Sequence, residues 1–226
     1  MKIEVLTLFP EFFQNLLTFS IIGRAIEKNI VIINCINIRD FSKDKHKKVD
    51  DYPFGGGPGM VMKPGPIFDA LCSVKSDNSK VIYLSPQGKR LNQEIANSLS
   101  KEENIILLCG HYEGIDNRII DNYIDEEISI GDYVLTGGEI PALVLIDAIT
   151  RLLPGVLSTE ESFTDESHYD GLLEYPQYTR PREFNGINVP DILLSGDHKK
   201  IAEWRKVESM RVTLDKRPDL IDKDEY

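Results

Sequence analysis

What this chain of 226 residues lacks narrows its class before anything else does. No apolar run approaches the roughly 20 residues that a helix needs to cross a bilayer. The opening MKIEVLTLFP has no long apolar stretch and no small-residue cleavage site, so it reads as a first strand and not as a signal peptide. Together these features point to a cytoplasmic protein without a membrane partner. The three cysteines, Cys35, Cys72 and Cys109, are odd in number and far apart, which argues against a disulfide framework and against a C-x-x-C metal site. Cys35 and Cys109 lie in apolar runs and are expected to be core thiols. Basic residues are in deficit, 26 against 37 acidic ones, for a net charge of −11. That balance does not advertise nucleic acid, whose phosphates call for cationic surface. No segment spells G-x-x-x-x-G-K-[ST], and none spells G-x-G-x-x-G after the first strand. Neither a P-loop nor the usual dinucleotide fingerprint is therefore expected.

What is present is a globular composition, 41% hydrophobic and 28% charged, on a length that suits one α/β domain and a small second one. The first half alternates strand and helix signals. Lys2–Phe9, Val31–Ile38, Val81–Leu84, Asn104–Cys109 and Ile128–Ile130 are short runs rich in β-branched or aliphatic residues and read as strands. Between them, helical spacing is seen at Phe12–Leu17, Ile22–Glu27, residues 66–74, Asn92–Leu99, Ile115–Tyr123 and Glu139–Leu152. Apolar strands separated by helices predict a mainly parallel sheet covered on both faces. After Pro154 the pattern stops. Residues 158–170 are polar, acidic and non-periodic and read as a flexible linker, and 197–215 reads as a helix in a small helical C-terminal domain. The expected organisation is a domain at 1–157, a linker at 158–170 and a second domain at 171–226.

Parallel sheets bind ligands where loops leave the carboxyl ends of their strands. Here those loops are Ser85-Pro86-Gln87-Gly88, Gly110-His111-Tyr112-Glu113-Gly114 and the stretch from Gly131 to Glu139. They are glycine-bearing and mostly neutral, with Tyr83, Leu84, Tyr133, Leu135 and Pro141 nearby. A neutral, glycine-lined slot suits a flat heterocycle such as adenine held by backbone hydrogen bonds. Two basic clusters, Lys43 to Lys48 and Lys199, Lys200, Arg205, Lys206 and Arg211, permit RNA binding without arguing for it.

The segments Asp50-Asp51-Tyr52-Pro53-Phe54-Gly55-Gly56-Gly57-Pro58-Gly59-Met60, Gly110 to Asp116 with Arg118, Ser129 to Glu139, Leu153-Pro154-Gly155-Val156-Leu157 and Tyr178-Thr179-Arg180-Pro181 occur in that order. As a set they closely resemble the bacterial tRNA (guanine-N1)-methyltransferases of the TrmD family, within the SPOUT methyltransferases. The resemblance implies an α/β domain with a deep trefoil knot at its C-terminal end, a homodimer with active sites at the subunit interface, and S-adenosyl-L-methionine as methyl donor. It implies a cofactor pocket around Tyr83, Leu84, Pro86, Gly110, Tyr112, Glu113, Gly114, Ile130, Gly131, Tyr133, Leu135, Gly137, Gly138 and Pro141. It also implies methylation of guanine 37 in the anticodon loop of tRNAs with guanine at position 36. Mg2+ is associated with the activity, but no ligand cluster in this sequence identifies a metal site.

The chemistry bears on two further positions. Guanine N1 carries a proton and is a poor nucleophile, so its methylation calls for a general base. Charge that grows at O6 as that proton leaves calls for a positioned cation. By resemblance the cation is Arg151. The base falls on Glu166, with the adjacent Asp165 as the alternative. Asp50, Gly56 and Arg180 fall at tRNA-binding positions, and Glu174 matches an acid supplied by the partner subunit. His111 replaces a residue that is often arginine and is given no catalytic role; the other histidines are expected at the surface. The alternatives are a SPOUT methyltransferase acting on another RNA or another site, and a non-catalytic RNA-binding module.

Overall fold

The computed structural model describes residues 1–14, 16–157, 166–169 and 171–221. By its internal contacts the chain divides into two compact units, Met1–Ser158 and Thr159–Tyr226. The first opens with strand β1 (Lys2–Thr7), a short helix α1 (Glu11–Gln14), helix α2 (Ser20–Glu27) and strand β2 (Ile32–Asn37). A two-residue ribbon follows, β3 (Asp50–Asp51) against β4 (Val61–Met62), then helix α3 (Pro64–Val74) and strand β5 (Ser79–Arg90). Helix α4 (Gln93–Leu99), strand β6 (Asn104–Cys109), helix α5 (Asn117–Tyr123), strand β7 (Glu126–Ser129) and helix α6 (Glu139–Thr150) complete it.

Five strands form one sheet in the order β2-β1-β6-β5-β7, every pair parallel. Strand alternation sends side chains to opposite faces. Ile3, Val5, Ile82, Ile105, Leu107 and Ile128 face one core with Phe13, Ala25, Leu99 and the α6 residues Leu145, Ile146 and Ile149. Leu6, Val81, Tyr83, Ile106 and Leu108 face the other, with Ile67, Ala70 and Leu71 of α3 and Ile119 of α5. The expected mixed α/β architecture around a central parallel sheet is what the chain forms.

Three local readings need correction. The helix expected over Phe12–Leu17 is interrupted: α1 ends at Gln14 and a 3-10 turn spans Leu16–Thr18. The strand expected to end at Leu84 continues to Arg90. Leu84 and Lys89 both pair with Ile128, so the intervening Ser85–Gly88 bulges out of the ladder. A Pro-Gln-Gly sequence conceals this, because the pairing resumes only when β7 arrives from far along the chain. Cys35, expected in the core, is half-buried on the edge strand β2; Cys109 is fully buried, and Cys72 is exposed. Burial, then the nearby Glu4 charge, pushes the Cys35 thiol up to about 11.

In the second unit, an antiparallel ribbon of β8 (Glu183–Phe184) and β9 (Ile187–Asn188) precedes a 3-10 turn at Asp191–Leu194 and helix α7 (His198–Lys216). Asp197 caps α7 by accepting the Lys200 amide at 3.2 Å. Within this unit the segment around Leu173 is tied to α7: the Leu173 amide donates to the buried Thr213 hydroxyl at 2.9 Å, and the Ser209 hydroxyl donates to the Leu173 carbonyl. Residues Ser158–Asp165 and Asp170, most of the expected linker, lie outside the described residues.

Leu107, fully buried on the central strand β6, anchors the first core. Leu107→Ala should lower unfolding stability by about 2–5 kcal/mol, since the flanking strands cannot collapse into the void; urea denaturation monitored by circular dichroism measures it.

Candidate active site

Strands β5, β6 and β7 lie side by side and parallel, so their carboxyl ends open on one edge of the sheet. The Ser85–Gly88 bulge of β5 and the loops leaving β6 and β7 surround a cavity of about 330 Å3. All the positions named above for the cofactor line it, from Tyr83 through Pro141. Ser85, Gln87 and His111 of the expected loops line it as well, as do Ser129 and two residues that sequence reasoning passed over, Asn117 and Glu127.

Close backbone approach shapes these walls. A Cβ on Gly138 would sit 2.7 Å from the Cys109 Cα, and the Gly138 amide donates to the Gly110 carbonyl at 3.0 Å. A Cβ on Gly110 would lie 2.8 Å from the Tyr83 hydroxyl. Glycine is needed at both places because the space is already filled. Tyr112 adopts φ +60 at the tip of its loop, a conformation unusual for an aromatic residue.

Beneath this junction lies a buried histidine–carboxylate contact that the sequence did not announce. His111 Nε2 lies 2.8 Å from both carboxylate oxygens of Glu139, the first residue of α6, and the Thr7 hydroxyl donates to Glu139 Oε1 at 2.6 Å. The Phe9 ring packs edge-on against the imidazole, 5.0 Å between centroids. Burial alone pushes the Glu139 carboxyl up. The hydrogen bonds from His111 and Thr7, with the imidazole charge, outweigh it and leave the group below the usual glutamate range. His111 thus joins the ends of β1, β6 and α6. The remaining described histidines, His46, His168 and His198, are exposed as expected.

The β3–β4 ribbon brings the glycine-rich loop to the same edge. Met62 and Gly114 are hydrogen-bonded (amide to carbonyl, 3.0 Å), as are Glu113 and Met60 at 3.0 Å. Gly59, at φ +82, lies against the Glu113 side chain, so that a Cβ there would overlap the carboxyl. Asp50 pairs with Met62 in the ribbon, while Gly56, at φ +81, stands in open space at its exposed tip.

Of the remaining positions, Arg151 caps the C-terminus of α6 in the first unit, its amide bonded to the Asp147 carbonyl at 3.2 Å. Glu166 belongs to the second unit and opens a turn, where its carbonyl accepts the Tyr169 amide at 3.3 Å. That turn is pinned by His168 N–H to the Leu172 carbonyl (2.7 Å) and by the Glu174 N–H to the Ser167 hydroxyl (2.9 Å). Arg180 is exposed. Asp165 lies outside the described residues. The basic clusters are partly neutralised by Lys43–Asp69, Lys47–Asp40, Lys200–Asp197 and Arg211–Glu208 ion pairs. Among the described residues no group of three or more His, Cys, Asp or Glu side chains could hold a metal, and no helix is long and apolar enough to cross a membrane.

A family model for tRNA (guanine-1)-methyltransferase TrmD matches residues 1–223. The chain belongs to the TrmD family. It is 64% identical over 226 residues to a tRNA (guanine-N(1)-)-methyltransferase of Ruminiclostridium cellulolyticum, covering 99% of this chain and 97% of the relative. Proteins of the same name from Alkaliphilus oremlandii and Clostridioides difficile are 61% and 60% identical, covering 98% and 99% of this chain and 92% and 98% of their own lengths. In the TrmD family setting, the strand-end cavity becomes the place to look for cofactor chemistry.

The His111–Glu139 pair carries a pH signature. Because the folded carboxyl titrates below its unfolded counterpart, its stabilisation is present at neutral pH and is lost as pH falls through the folded value. Glu139→Gln should cost about 3 kcal/mol at neutral pH by leaving His111 and Thr7 poorly paired. The gap from wild type should shrink below the ordinary glutamate range, at about pH 4. Urea titrations at the two pH values test this, and a gap independent of pH would contradict it.

Proposed function

We propose that this chain transfers the methyl group of S-adenosyl-L-methionine to N1 of guanine 37 in tRNAs with guanine at position 36. The observation that carries the reading is the convergence of the β5 bulge and the loops after β6 and β7 on one glycine-walled cavity in a chain of the TrmD family. The cavity's neutral walls, with glycines where backbone meets backbone, fit a flat adenine, and its volume suits a nucleoside. When bound, S-adenosyl-L-methionine supplies an electrophilic methyl group on a sulfonium.

The protein's own residues do the rest. Glu166, with Asp165 as its rival, takes the proton from guanine N1 so that the ring nitrogen can act as nucleophile. Arg151, fixed at the C-terminus of α6, stabilises the negative charge that grows at O6. Glu113 stands beside the glycine-rich loop, at the edge that faces the target base. The flipped guanine leaves its stack in a single-stranded loop, where unstacking is cheaper than in a duplex. Folding of the 158–170 segment over the base brings the carboxylate in and excludes water.

The rest of the reading concerns architecture and partners. The first unit is a SPOUT domain whose C-terminal portion closes a deep trefoil knot, and the second, built on α7, is the helical tRNA-binding domain. The Asp50–Gly59 loop with Gly56, together with Arg180, contacts tRNA. The protein acts as a homodimer in the cytoplasm, and Glu174 serves the partner's site. Ile140 and Val144, one turn apart on α6, are 48% and 42% exposed, and Phe19, the N-cap of α2, is 65% exposed; α2 packs against α6. Such an apolar face on a central helix supports a subunit interface.

Primer extension on tRNA transcripts, which stops at N1-methylguanine, tests the reaction. Wild type should produce a stop at guanine 37 that disappears when position 36 or 37 is replaced. Glu166→Ala should lower the rate by about 100- to 10,000-fold, and Arg151→Ala by about 100- to 1,000-fold. Near-full activity in Glu166→Ala with loss in Asp165→Ala would move the base to Asp165.

A further inference from the structure

The second unit holds a cavity of its own, of about 330 Å3, that the reaction proposed above does not use. It lies between the extended segment Tyr175–Tyr178, Leu193 of the 3-10 turn and the first turns of α7. Three aromatic side chains line it: Tyr175, Tyr178 and Trp204. The Tyr178 and Trp204 rings stand 6.5 Å apart between centroids and are inclined by 51°. That is near the outer limit of an aromatic pair, so the two rings do not consume each other's faces. The Arg205 guanidinium lies 4.7 Å from the centroid of the Tyr175 ring, a cation–π contact that holds its charge at the cavity wall.

These rings do not form a closed core. Among the described residues of the second unit Thr213 alone is buried, and Tyr178 is 49% exposed. Rings kept open around a cavity forgo burial that would stabilise a small unit. A flat occupant would recover it. The surroundings select among flat occupants. Lys199, Arg205 and Lys206 on α7 are exposed cations, and so is Arg180, two residues after Tyr178. Aromatic faces that take a base, beside cations that take phosphate, are the two components of single-strand nucleic-acid sites. We propose that this cavity is a base-stacking site in which Trp204 and Tyr178 receive one unpaired base of the RNA substrate, with Arg205 and its basic neighbours on the adjoining phosphates. The inference rests on the tRNA reading above. It adds a contact that anchors the RNA without reading its sequence, since every base has a π-face. A proline-rich peptide, another ligand of aromatic grooves, leaves the neighbouring cations without a role.

Trp204 is the only tryptophan of the chain, so its emission reports on this cavity directly. The full-length protein is titrated with a tRNA transcript and with a blunt RNA duplex, whose bases are already stacked on one another. The transcript should quench the emission and the duplex should not. In filter binding, Trp204→Leu and Tyr178→Ala should each weaken tRNA affinity by about 5- to 150-fold, the range for one base on an aromatic ring. Trp204→Phe, which keeps a ring, should stay near wild type. The salt dependence of binding separates the two kinds of contact. Trp204→Leu should leave its slope unchanged, whereas Arg205→Ala should reduce it by about one. Bound tRNA that leaves both the emission and the Trp204→Leu affinity unchanged would refute the assignment. Quenching by the duplex as strong as by tRNA would overturn it in favour of a backbone contact. Equal losses in Trp204→Phe and Trp204→Leu with lowered melting temperatures would overturn it in favour of a structural role. Quenching by a polyproline peptide with none by tRNA would assign the cavity to a protein partner instead. Wild-type protein that binds no tRNA at all would bring down the tRNA reading itself, and this site with it.

Discussion

The contact between Gly138 and the Cys109–Gly110 backbone is the constraint on which the cavity depends. The loop after β7 crosses the end of β6 so closely that no side chain fits between them, and the Gly138 amide satisfies the Gly110 carbonyl in the gap. Two loops that would otherwise move separately become one wall. His111, Glu139 and Thr7 fasten that wall from below, tying it to the start of α6 and the end of β1. A buried pair of this kind gains its strength from complete hydrogen bonding more than from Coulomb attraction, because desolvation offsets much of the latter. Both Glu139 oxygens are engaged, which meets that condition.

A rigid wall suits the chemistry proposed for the site. Methyl transfer asks the protein mainly to hold two reactants in line, and misplacement is penalised steeply. The parallel sheet supplies the rigidity, with fully buried aliphatic residues on both faces of β6. The groups proposed for proton removal and charge stabilisation sit outside the sheet: Glu166 on a turn of the second unit and Arg151 at the C-terminus of α6. The charge of −11 also becomes intelligible. Several lysines and arginines are neutralised locally by neighbouring acids.

Much of the architecture was legible because its signals are local. Aliphatic runs such as Asn104–Cys109 and helical spacing such as Glu139–Thr150 reflect burial on two faces and on one stripe, and both leave periodic traces. The glycine-bearing segments were legible as a group because each follows directly on a short aliphatic run. The continuation of β5 beyond Leu84 was not, because its partner β7 is remote in sequence and Ser85–Gly88 resembles an ordinary turn. Nor were the ribbons at Asp50–Met62 and Glu183–Asn188, whose strands of two residues are too short to show alternation.

The sequence by itself determined the alternating α/β order, the parallel sheet, the pocket loops and, through the combined motifs, the family. All of these depend on residue type and on spacing along the chain. Only the tertiary structure decided that His111 is half of a buried pair and that Cys35 sits on an edge strand. It also decided that Glu127, one acid among three in a row, lies opposite Tyr83 across the β5–β7 ladder. Composition cannot separate Asp125, Glu126 and Glu127. What separates them is which groups the neighbouring strand brings within reach, and that is settled only when the sheet assembles.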